Sequence, residues 1–233
     1  MSLIRSIIFY IIFYPISALI AVLIMLSAPL SPDNTRRGAH IWAAWFVWSC
    51  RIFLGIKLNV RGRIPNESVI VASKHSSAYE TLLTLYLFHH PGVVMKAELR
   101  KIPVWGWLAA RHGSIFVERN RAGSALKSMI RQARARSAEG RPVFIFPEGT
   151  RVPVGQTPPL KAGLYGIYAG LHVPVVPVAH NAGLLWTKRF VKHAGTVTVS
   201  FLPDIAADLP REEMEAQVHA AINRDPLTAE VRP

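Results

Sequence analysis

Residues 68–80 read SVIVASKHSSAYE, and the texture changes twice within that run. Residues 68–72 form a short β-rich run, continuously apolar after Ser68, the pattern of a strand buried on both faces. Lys74-His75-Ser76-Ser77 interrupts the pattern with polar side chains, and Glu80 opens a helical stretch reaching residue 89. A buried strand running straight into a helix is the repeating unit of α/β folds.

The same alternation continues downstream. Strands are predicted at 93–96, 114–118, 143–146, 173–179 and 196–201, and helices at 103–112, 124–138 and 162–171. The expected fold is α/β, with a largely parallel or mixed central sheet flanked by helices. No internal repeat is present, and residues 211–222 form an amphipathic helix before a polar tail. In such sheets ligands gather beyond the carboxyl ends of the strands, so the loops after each strand hold the candidate chemistry.

Upstream the chain is different. Residues 6–30 contain no charge, and at about 1.5 Å per residue such a helix exceeds the roughly 30 Å bilayer core. A retained membrane anchor is expected, kinked by Pro15; a cleaved signal carrying the basic Arg5 or a buried helix are the alternatives. In residues 39–56, Trp42, Trp45, Phe46 and Phe53 share one helical face, with His40, Ala44 and Arg51 opposite. That face suits a headgroup interface, the alternative being a helix packed on the core. The expected division is therefore 1–58, anchor and interfacial helix, and 59–233, globular domain. Arg36 and Arg37 place the globular part on the cytoplasmic side of the membrane.

The 233 residues are 51% hydrophobic and carry a net charge of +13. Such a chain is drawn to polyanions: nucleic acid, anionic bilayer or phosphorylated ligand. No compact basic cluster or nucleic-acid motif is present, so a nucleic-acid partner is not expected. Cys50 is the single cysteine and reads as a buried structural thiol. The nine histidines lack paired helical spacing, so no metal is implied.

Two loops carry chemistry. His75 stands at a strand terminus with Glu80 five residues later at a helix start, where a carboxylate could orient the ring while its other nitrogen removes a proton from a hydroxyl. Ser77-x-x-Glu80 is equally a capping box, in which Glu80 only closes the helix N-terminus. The strand at 143–146 runs into Pro147-Glu148-Gly149-Thr150-Arg151. There glycine permits close approach, Thr150 can donate a hydrogen bond and Arg151 can make paired bonds to phosphate; an ordinary turn with an internal Glu–Arg pair is the competing reading. A second cationic loop, Glu118-Arg119-Asn120-Arg121, follows another strand.

In order, these stretches resemble the glycerolipid acyltransferase family typified by 1-acyl-sn-glycerol-3-phosphate acyltransferases. His75-x4-Glu80 resembles the family's catalytic His-x4-Asp, Gly113-Ser-Ile-Phe-Val-Glu-Arg119 its second block, Phe146-Pro-Glu-Gly-Thr-Arg151 its most diagnostic block, and Val173-Pro-Val-Val-Pro-Val178 its fourth. Lys96-Ala-Glu-Leu99 with Pro103 and Gly106, and Lys161 with Gly163, resemble connecting features. The match covers about residues 69–178.

The resemblance implies His75 as base, Glu80 as its orienting acid, Arg119 as a phosphate ligand, and Glu148, Gly149 and Arg151 as acceptor-site residues, with Pro177 shaping the acyl site. Glu80 departs from the family's usual Asp by one methylene. The implied reaction acylates lysophosphatidic acid in a bilayer, with no cofactor and an acyl-CoA or acyl carrier protein thioester as co-substrate. Glycerol 3-phosphate or another lysolipid is the alternative acceptor. A non-catalytic membrane protein binding anionic lipid or nucleic acid is the alternative of another class.

Overall fold

The computed structural model describes residues 1–118 and 122–233. Among the described residues seven strands form one sheet: β1 (Ile56–Arg61), β2 (Ile70–Ser73), β3 (Gly92–Lys96), β4 (Ile115–Val117), β5 (Val143–Ile145), β6 (Val175–His180) and β7 (Gly195–Phe201). Their spatial order is β1-β7-β6-β2-β5-β3-β4. Every neighbouring pair is parallel except β6 with β7. The mixed, mainly parallel α/β architecture expected from the sequence is what forms.

Strand alternation divides the apolar residues between two layers. Val71, Phe144, Val176 and Val178 point to one layer, where Tyr79 and Leu83 of α3 (Tyr79–Leu87) meet them. Ile70, Ala72, Val143, Ile145 and Val175 point to the other. That layer is filled by α5 (Ala122–Ala138), α6 (Gly163–Leu171) and α8 (Arg211–Ile222). The last helix buries Met214, Val218 and Ile222, a four-residue spacing that keeps them on one face. Burying each such side chain contributes about 1.5–3 kcal/mol.

The amino-terminal helices α1 (Ser2–Ser27) and α2 (Pro32–Ser49) cover the first layer. Among the described residues one helical span, Ser2–Leu30, is long and apolar enough to cross a membrane. It packs against the sheet unit at both ends: Ser6 Oγ accepts the Lys192 amide at 2.9 Å, and the Ala28 carbonyl accepts Arg111 Nη2 at 2.6 Å. Phe9 and Phe13 are buried between these points, while Ile4, Ile11, Leu19, Leu23 and Leu26 are exposed.

The aromatic face expected at a headgroup interface is divided differently. Phe46 is fully buried, with its ring against Tyr79 and Trp186, because the first layer needs an aromatic plug above α3. The outward side chains are Ile41, Trp48 and Ile52. A five-residue π-helical turn, Cys50–Leu54, ends α2, and Cys50 is buried. β1 then begins at Ile56 and pairs with β7 through Arg61, so position 58 lies inside a sheet strand.

Candidate active site

The connection from β2 to β3 passes through α3 on the first layer, whereas that from β5 to β6 passes through α6 on the second. Two neighbouring strands whose connections leave on opposite faces create a crevice at their carboxyl ends. His75 follows β2 and the 146–151 loop follows β5, so the fold brings both candidate stretches to that crevice.

The loop is tied to the end of β2 by three contacts. Glu148 Oε2 accepts the His75 amide at 2.9 Å, Glu148 Oε1 meets Lys74 Nζ at 3.1 Å, and the Val152 amide donates to the His75 carbonyl at 2.7 Å. The His75 ring stacks on Phe146 with centroids 4.2 Å apart. Its backbone and its ring face are thus both set by the neighbouring strand's loop.

His75 Nδ1 lies 3.0 Å from Glu80 Oε1. The same oxygen accepts the amides of Ser76 at 2.8 Å and Ser77 at 2.6 Å. Ser77 Oγ donates to Glu80 Oε2 and accepts the Tyr79 amide at 3.0 Å. Burial pushes the Glu80 carboxyl upward, but the bond from His75, the nearby His180 and the hydroxyl and amide of Ser77 together hold it below the usual carboxylate range. An ionised carboxylate only accepts, so Nδ1 carries the hydrogen, and in the neutral ring Nε2 is the nitrogen with the lone pair. A neutral ring held in this way can act as a general base.

Residues 57–181 match the family model described as acyltransferase. The chain belongs to the acyltransferase family. It is 32% identical over 237 residues to the 1-acyl-sn-glycerol-3-phosphate acyltransferase of Pseudomonas aeruginosa, covering 99% of this chain and 92% of that protein. It is 30% identical over 178 residues to the human 1-acyl-sn-glycerol-3-phosphate acyltransferase beta, covering 71% of this chain and 64% of that protein. The crystal structure of the 1-acyl-sn-glycerophosphate acyltransferase of Thermotoga maritima superposes with a TM-score of 0.77 over 97% of both chains at 23% identity, and so shares the fold.

Within this O-acyltransferase the other candidate residues fall in distinct places. Glu148 is buried with both oxygens engaged by protein. Gly149 turns the loop at φ +70°, which a side chain would strain, and its amide donates to the Phe146 carbonyl at 2.9 Å. Thr150 and Arg151 are exposed, and among the described residues Arg151 is not held in an ion pair. Pro177 is buried inside β6 in register with Ala72, and its carbonyl accepts the Leu202 amide. Arg119 lies outside the described residues.

Sequence reasoning missed three supporting residues. Lys74 is buried and donates to Glu148 and the Gln156 carbonyl. Phe146 supplies the stacking surface. His180, buried at the end of β6, sets Nε2 2.8 Å from the Lys74 carbonyl while Nδ1 accepts the Ala182 amide. A lysine closing an apolar strand was the available signal for the first; the others depend on which strands become neighbours.

Proposed function

We propose that this acyltransferase moves a fatty acyl group from a thioester to the free hydroxyl of lysophosphatidic acid, giving phosphatidic acid. The observation that carries the mechanism is the Nδ1–Glu80 contact, which leaves His75 Nε2 free to take the hydroxyl proton. The alkoxide oxygen attacks the thioester carbon, the carbon–sulfur bond breaks, and the imidazolium returns its proton to the departing thiolate. Glu80 stabilises the charged ring during the step. The thioester, from coenzyme A or acyl carrier protein, is a co-substrate, and the scheme uses no resident cofactor.

Arg151, exposed in the loop beside His75, supports a phosphate-binding role for that loop, with Arg119 as a second ligand by family resemblance. Glu148 and Gly149 shape the loop, Thr150 is an available donor, and Pro177 stiffens β6. The acceptor preference rests on the relatives' names. The exposed apolar side of α1 supports membrane association, and its attachment at both ends favours lying against the bilayer with the α/β unit on one side, the cytoplasmic face by the charges at Arg36 and Arg37.

Incubating the full chain in vesicles with labelled acyl thioester, offering lysophosphatidic acid, glycerol 3-phosphate and other lysolipids separately, tests the reading. Labelled phosphatidic acid as the dominant product supports it. Product from another acceptor alone overturns the substrate assignment, and no product from any acceptor overturns the activity.

A further inference from the structure

The peptide joining Lys74 to His75 lies just past the end of β2. It is planar, so its carbonyl and its amide hydrogen point in opposite directions. β2 runs between β5 and β6, and each neighbour supplies a side chain to one end of that peptide. From the β5 side, Glu148 Oε2 accepts the His75 amide at 2.9 Å. From the β6 side, His180 Nε2 lies 2.8 Å from the Lys74 carbonyl. The register of β2 with β6 runs to Ser73 opposite Val178, and the next ladder bond, from the Lys74 amide to the Val178 carbonyl, has stretched to 3.5 Å. Two side chains therefore hold the chain where the backbone ladder gives out.

His180 is itself firmly placed. Its side chain is buried, a carbonyl can only accept, so Nε2 carries hydrogen, and Nδ1 takes the Ala182 amide at 3.3 Å. The next residue ties the end of β6 to β7: Asn181 Oδ1 accepts the Thr198 amide at 2.8 Å and Nδ2 donates to the Thr196 carbonyl at 3.3 Å. The Lys74 carbonyl also accepts Ser73 Oγ at 3.2 Å, but that bond comes from the adjacent residue and fixes nothing relative to another strand. Rotation of the Lys74–His75 peptide would swing the Cα–Cβ bond of His75. The ring would then leave Glu80 Oε1, 3.0 Å from Nδ1, and the face of Phe146.

We propose that His180 is a positioning residue for acyl transfer: it holds the Lys74–His75 peptide against Glu148, so that the imidazole of His75 keeps its contact with Glu80. The assignment rests on the reading of His75 as the general base. His180 acts through the Lys74 carbonyl alone and exchanges no proton in the reaction. Its loss therefore leaves the substrate sites intact and misplaces the base, and a small misplacement of a reacting group costs turnover rather than binding.

The test compares three variants of the full chain in detergent micelles with palmitoyl-CoA and lysophosphatidic acid. His180→Ala removes the donor, and His180→Asn is too short to reach the Lys74 carbonyl. His180→Gln restores a nitrogen donor at the right length and an oxygen for the Ala182 amide. Kinetics and melting temperature are joined by the proton spectrum of chain labelled with 15N-histidine, in which the His75 Nδ1 hydrogen facing a carboxylate is a downfield resonance, assigned by its loss in His75→Ala. The Ala and Asn variants lower kcat about tenfold to a hundredfold with both KM values near wild type, and the His75 resonance is lost. The Gln variant recovers kcat and the resonance together. Wild-type kcat in a folded Ala or Asn variant, whatever its melting temperature, overturns the proposal, and so does a Gln variant that recovers melting temperature without kcat. Should neither short variant fold, the wild-type 15N spectrum decides: hydrogen on His180 Nε2 supports the hold on the carbonyl, and a bare Nε2 overturns it. If the wild-type chain forms no acylated product, the acyl-transfer reading falls by itself, while the His75 and His180 resonances still report whether the peptide is held.

Discussion

Glu80 Oε1 accepts from three donors at once, His75 Nδ1 at 3.0 Å and the amides of Ser76 and Ser77 at 2.8 and 2.6 Å. Closing the start of α3 and orienting the imidazole are therefore one function of one oxygen. The backbone amides hold the carboxylate beside the ring of His75 at the start of α3.

Glu80→Gln separates the two contributions. The amide oxygen can still accept from the backbone, but the negative charge facing the imidazolium is lost. Turnover falls at least about a hundredfold, while the melting temperature changes little. Enzyme assay and thermal denaturation of the same preparation check this, and near-normal turnover reduces Glu80 to a cap.

Lys74 and Glu148 form a buried pair, their side chains 11% and 1% exposed. Lys74→Met strands a buried carboxylate and destabilises the protein by about 3–5 kcal/mol. Adding Glu148→Gln removes the second charge and recovers part of the loss. Thermal denaturation of both variants checks it; a single variant as stable as wild type refutes the structural role of the pair.

Arg151→Ala raises the KM for lysophosphatidic acid roughly tenfold or more and moves the donor KM less, because the guanidinium holds phosphate equally in ground and transition states. Acceptor titrations at saturating donor measure this. An unchanged acceptor KM removes Arg151 from the phosphate site.

His112 is buried, and burial first, then the charge of Arg141, lower its pKa from 6.5 to about 3. Between those values the unfolded chain binds a proton that the folded chain refuses. The contribution to stability is complete above pH 6.5 and is lost as pH falls toward 3, by at most about 1.4 kcal/mol per pH unit. His112→Gln therefore flattens the decline of melting temperature from pH 6.5 to 5. An unchanged slope places the acid sensitivity elsewhere.

The sheet was legible because its strands are short apolar runs punctuated by polar loops, and the site was legible where chemistry is local, as in His75 and Glu80 five residues apart. β1 escaped because Ile56–Arg61 alternates apolar and polar residues just after a helix whose periodicity extends into it. The Lys74–Glu148 pair escaped because it joins positions 74 residues apart, and only the adjacency of β2 and β5 makes them neighbours. Phe46 was read toward lipid because helical periodicity finds an aromatic face without saying what covers it; Tyr79 and Trp186 do.

The central claim, that His75 is the general base, is tested most directly by His75→Ala in vesicles with labelled acyl thioester and lysophosphatidic acid, alongside melting temperature and membrane recovery. With His75 as base, phosphatidic acid formation falls about a hundredfold to ten-thousandfold, while the fold and membrane association persist. Phosphatidic acid formed at a near wild-type rate by the folded, membrane-bound variant would contradict it.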